Sequence, residues 1–89
     1  MEEKKEILNL KQMILNWKNS YIRLAEEDNS YGEDNLYLLE DFIEDIHTYF
    51  PLYTSRLVKI EYITEEELRK FQIFIISEIE DLKKVLGIN

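Results

Sequence analysis

The chain has 89 residues, 45% of them apolar and 34% charged, with 19 Asp and Glu against 11 Lys and Arg and a formal charge of −8. This size makes one domain, spanning residues 1–89, and the apolar content excludes intrinsic disorder. The absence of cysteine excludes disulfides and thiolate metal sites, and the negative balance argues against direct contact with nucleic acid or anionic lipid.

Helix 1 is expected over about residues 3–27. Ile7, Leu10, Ile14, Trp17, Tyr21 and Leu24 recur at alternating intervals of three and four, which places them on one helical face. Leu8, Leu15 and Ile22 widen that stripe along a flank. The first residues are polar and charged through Glu6, so no signal peptide is expected there, and a cytoplasmic location is the default. No stretch has the apolar length of a membrane span.

Asp28 to Gly32 reads as a loop of turn-favouring residues. Helix 2 is expected from Glu33 to Phe50, with Leu36, Leu39, Ile43, Ile46 and Phe50 inward and Phe42 beside them. Pro51 is expected to end it or to start the next piece, because proline suits a first helical turn better than an interior. Residues 51–60 are then a short third helix with Leu52, Leu57 and Ile60 inward. Thr64 and Glu67 have capping-box spacing, flanked by Ile63 and Leu68 as a hydrophobic staple. The last helix carries Leu68, Phe71, Ile75, Ile79, Leu82 and Leu86 on one face and stops at Gly87. Ile73, Phe74 and Ile76 widen its stripe. The expectation is an all-α fold, a small antiparallel bundle of three long helices plus one short helix.

The charge is not spread evenly. From Leu24 to Ser55 there are nine carboxylates and no Lys or Arg, while the rest of the chain holds ten acids against eleven bases. On helix 2, Glu40/Glu44 and Asp41/Asp45 are like-charge pairs four apart, each destabilising by about 0.2–0.5 kcal/mol. Tyr37 lies one turn before them. The bland account is a solvated face. The functional account is a contact face of Tyr37, Glu40, Asp41, Glu44 and Asp45 for a cationic protein partner, with tyrosine supplying contact area at low entropic cost.

Other chemistries fit poorly. Glu44 and His47 have the spacing used in di-metal bundles, but a single histidine cannot complete such a site. A calcium loop starting at Glu27 puts Leu38 where a bidentate glutamate is required. There is no phosphate-binding glycine loop and no nucleophile with an evident base. Neither a cofactor nor an enzyme activity is expected. Trp17 and Phe74 fall on apolar stripes and read as core. The surplus of apolar positions on helix 1 and the last helix leaves a homodimer or a complex subunit open as the alternative.

The stretch Leu39-Glu40-Asp41-Phe42-Ile43-Glu44-Asp45-Ile46, the following Tyr49-Phe50-Pro51, and Ile63-Thr64-Glu65-Glu66-Glu67-Leu68-Arg69 resemble the small all-helical immunity proteins that neutralise nuclease bacteriocins, notably the colicin D type. The resemblance covers about 35 residues of the second half. It implies a helical bundle that plugs the cationic RNA-binding cleft of a nuclease toxin, without assigning individual contact residues.

Overall fold

A computed structural model describes residues 4–28 and 33–88. The described residues form three helices, α1 (Lys5–Asp28), α2 (Glu33–Lys59) and α3 (Glu65–Val85), and no strand. Each helix packs against both others. Trp17 meets Tyr49 and Phe50 at ring separations of 5.7 and 5.3 Å, and Glu6 meets Tyr53, so α1 and α2 are antiparallel. Phe50 meets Phe71 at 5.8 Å, and Asn35 reaches Leu86, so α2 and α3 are antiparallel too. The bundle therefore runs up, down and up, with α1 parallel to α3. The loop expected at residues 28–32 overlaps the end of α1 at Asp28, and its remaining residues lie outside those described.

The expected fourth helix does not exist as a separate element. Residues 51–59 continue α2, and Pro51 stands inside it. The apolar period explains why. Leu39, Phe42, Ile46, Phe50 and Leu57 are all buried, and their spacing crosses the proline without a phase shift, so breaking the helix there would break the core face. Pro51 itself is exposed, on the solvent side where helical hydrogen bonds are weakest. Thr54 directs its hydroxyl back to the Phe50 carbonyl at 2.9 Å. Leu52 and Ile60, expected inward, are 62% and 71% exposed. Leu36 is likewise exposed, and Phe42 rather than Leu36 stands at the centre of the core.

The helix ends are defined by their chemistry. Thr64 Oγ1 accepts from the Glu67 N–H at 3.0 Å, and Glu67 Oε1 accepts from the Thr64 N–H at 2.9 Å, completing the capping box. Ile63 is buried and Leu68 packs on the same core. At the far end Ile88 N–H donates to Lys83 and Gly87 N–H to Lys84, with Gly87 at φ +74°, a Schellman stop. The end of α2 has the same pattern, with Tyr62 bonded to Leu57 and Glu61 to Val58. Here the left-handed position is filled by Glu61 at φ +60°.

Ile7, Leu10, Ile14, Phe71, Leu82 and Leu86 complete the buried core, with Trp17 and Phe74 half-buried against it. No helix among the described residues is long and apolar enough to cross a membrane.

Candidate functional site, the outer face of α2

The acidic residues of α2 divide into two sets. An α-helix turns about 100° per residue, so Tyr37, Glu40, Asp41 and Glu44 share the side away from the buried Leu39, Phe42 and Ile46. All four are exposed, Tyr37 to 64%. Asp45 sits on the flank that faces α1. Its Oδ2 accepts a hydrogen bond from the Tyr21 hydroxyl at 2.7 Å, while the Tyr21 ring lies edge-on to Phe42 at 5.7 Å. Burial pushes the Tyr21 phenol above its ordinary pKa, the Asp45 hydrogen bond adds to this, and the charges of Asp45, Asp41 and Glu44 push the same way. The outward acids thus reach Tyr21 as a field, and Asp45 reaches it by contact.

The rest of the bundle explains why this field is not neutralised from within. Lys4, just before α1, and Lys11 and Lys18 within it recur every seven residues and all turn toward the α3 side. Lys4 pairs with Glu67 at 3.0 Å and also donates to the Tyr62 carbonyl. The Lys11 ammonium lies 5.1 Å from the centre of the Phe74 ring, a cation–π contact. Lys18, with its side chain only 12% exposed, bridges Glu78 at 2.6 Å and Asp81 at 2.7 Å. Burial opposes the charge on Lys18, but the hydrogen bonds to Asp81 and Glu78 outweigh it and its pKa is raised. Three bases at and within α1, Lys4, Lys11 and Lys18, are therefore engaged on the α3 side, while Lys5 and Arg23 are exposed. Among the described residues, no ion pair or hydrogen bond engages the side chains of Glu40, Asp41 or Glu44.

The tyrosines also sort by position. Tyr53 is half-buried and donates to Glu6 at 2.8 Å. Tyr49 is partly exposed beside Trp17 on the α1 side. Tyr37 alone of the α2 tyrosines stands among the outward acids, and Tyr31 lies outside the described residues. His47 is exposed, with Nδ1 3.0 Å from the Ile43 carbonyl of its own helix. Among the described residues, no group of three or more His, Asp or Glu side chains is arranged to hold a metal ion.

Two features are not evident in the sequence reading. Asn35 is buried at the start of α2, where its Nδ2 donates to the Leu86 carbonyl at 2.8 Å and its Oδ1 has no partner. A polar residue on an otherwise apolar stripe is the signal that marks it. The second is a groove of about 310 Å³ between α2 and α3, beside the acidic face. Its floor is the buried Ile46, Phe50 and Phe71, and His47, Pro51 and Ile76 form its edges. Pro51 and Thr54 are the α2 residues that line it beyond Phe50.

Comparison with known protein families, with characterised proteins and with solved structures returned no match.

Proposed function

We propose that this chain is a non-catalytic binding protein of inhibitor or immunity type that covers a basic site on a protein partner, such as the RNA-binding cleft of a nuclease toxin. The observation that carries this reading is the unneutralised outer face of α2. Tyr37, Glu40, Asp41 and Glu44 project together, no ion pair among the described residues engages these acids, and Lys4, Lys11 and Lys18 are held on the α3 side. Sequential carboxylates along a helix imitate the spacing of charge on a polyanion, and complementary charge speeds encounter and fixes the docking register. Asp45 belongs to the edge of the face, since its carboxylate is held by Tyr21.

The test is a double charge reversal, Asp41→Lys with Glu44→Lys. Both side chains are exposed, so the bundle keeps its helical signal and its melting temperature changes little. Affinity for a partner captured from native lysate falls about tenfold or more, and the salt dependence of the remaining binding flattens. Unchanged affinity in the double variant removes the acidic face from the contact.

A second reading, a homodimer or a subunit of a larger assembly, is favoured by a separate observation. Ile73 and Ile76 on α3 are each 60% exposed, and Leu8 on α1 is exposed as well. Large apolar side chains left exposed on two helices are surface that a second subunit could cover. Sedimentation equilibrium of the isolated chain separates the two readings, because a strict monomer across the micromolar range disfavours the dimer.

A further inference from the structure

We propose that the groove between α2 and α3 seats an amphipathic cationic helix of the partner, with an apolar side chain in the groove and Lys or Arg residues lying over Glu40 and Glu44. This rests on the acidic-face reading and adds to it the shape and composition of what binds.

The groove has the chemistry of an anchor site. Its floor is the apolar core surface of Ile46, Phe50 and Phe71, and Ile76 stands 60% exposed at its edge. Thr54 has spent its hydroxyl on the Phe50 carbonyl, so what it adds to the lining is largely a methyl group. Pro51 has no N–H. An entering aliphatic or aromatic side chain therefore displaces water from apolar atoms without stranding a donor on these two residues.

The surroundings of the groove select charge and direction. Glu44 precedes His47 by three residues and Glu40 lies one turn beyond, so both carboxylates continue the same side of α2 past the end of the groove. Glu80 follows Ile76 by four and continues the α3 side. Lys83 and Lys84 follow Glu80, so the excess negative charge at this end comes from α2. Toward the other end the groove continues shallowly past Pro51 and Gln72 to Lys59, Glu65 and Arg69, where bases outnumber acids by one. The strip from Glu40 to Lys59 measures about 28 Å at about 1.5 Å per residue, which matches a helix of about 19 residues. Such a helix places its basic end over Glu40 and Glu44 and tolerates acids near Lys59 and Arg69. A second copy of the chain is a poorer occupant. Its net charge of −8 opposes approach to this face, and its Lys4, Lys11 and Lys18 are engaged on its own α3.

The test compares two synthetic helical peptides of about 19 residues against the full chain, followed by amide chemical shifts and by titration. One carries Leu at i, i+3, i+4 and i+7 with Lys elsewhere. The other has every Leu replaced by Gln at the same charge. The Leu-Lys peptide binds about tenfold or more tighter, the equivalent of one well-buried leucine, and shifts the amides of Thr54, Gln72 and Ile76. In Ile76→Lys that preference disappears, while binding of the Gln-Lys peptide falls less than twofold. Equal affinity of the two peptides, with shifts confined to residues 37–45, overturns the groove and leaves the acidic-face reading standing. Failure of both peptides to bind overturns both. Shifts at Gln72 and Ile76 on simple dilution of the free protein assign the groove to a second copy and overturn the proposal.

Discussion

Asp45 shows how one hydrogen bond redefines a surface. The sequence places it with Glu40, Asp41 and Glu44 as an equal, yet its carboxylate accepts from Tyr21 while theirs face solvent. The contact also gives Tyr21 a measurable signature. The folded phenol titrates above the unfolded one, whose ordinary value is near 10. The folded state then binds more protons than the unfolded state at alkaline pH. The stability that Tyr21 contributes is complete below the unfolded value and is lost as pH rises above it toward the folded value. Thermal melts of the wild type should therefore drop faster above about pH 10 than melts of Tyr21→Phe, and parallel pH profiles would show that the phenol is not held by Asp45. Asn35 teaches a related lesson. Its burial depends on a carbonyl at the far end of α3, a partner that no local pattern near residue 35 specifies.

Among the elements, α2 departs furthest from local rules. An interior proline removes one ladder bond and crowds the preceding turn, at a cost of about 3 kcal/mol in an isolated helix. Here the buried run of Leu39, Phe42, Ile46, Phe50 and Leu57 holds the helix in phase across it. Pro51→Ala distinguishes the two possible roles of the residue. In a continuous helix the alanine restores an N–H for the His47 carbonyl, offset in part by a more flexible unfolded chain. The expected result is a gain of about 1–2 kcal/mol in chemical denaturation. At the first turn of a separate helix the same change would be neutral or destabilising. The contrast with α3 is instructive. Its start was legible because Thr64 and Glu67 are three residues apart and need only each other, and its stop because Gly87 supplies the left-handed turn alone. The continuity of α2 was not legible because the proline is a local signal, whereas the force that overrides it is packing against α1 and α3. The outward set Tyr37, Glu40, Asp41 and Glu44 could be read from helical periodicity. The groove beside it could not, because it is a gap between two helices and belongs to neither sequence segment.

At the scale of the molecule, the bundle separates its charges by helix pair. Lys4, Lys11 and Lys18 form a seven-residue ladder that meets Glu67, Phe74, Glu78 and Asp81 across the α1–α3 seam. The spacing of the lysines is visible in the sequence, but their partners lie about sixty residues away and only the packing names them. Hydrogen bonds from the Thr64 backbone and from Lys4 hold Glu67 below its ordinary value of 4.5, and the Lys18 hydrogen bond holds Asp81 below 3.8. Their contribution to stability is complete above these ordinary values and is lost as pH falls through the lower folded ones. Lys18→Gln should destabilise the fold by about 1–2 kcal/mol at neutral pH by leaving Glu78 and Asp81 without their shared cation. It should also flatten the loss of stability below about pH 4. An acid profile identical to that of the wild type would show that Lys18 does not set the Asp81 carboxyl.

The lysine ladder also bears on the order of assembly. A chain leaves the ribosome N-terminus first, so α1 is made long before the residues its lysines bind, which lie 58 to 63 positions later. Until α3 is made, Lys4, Lys11 and Lys18 lack the α3 partners they hold in the bundle. The arrival of the last helix supplies Glu67, Phe74, Glu78 and Asp81 as their partners. The charge pairing that ties α1 to α3 therefore belongs to the folded bundle and cannot precede the synthesis of residues 62–81.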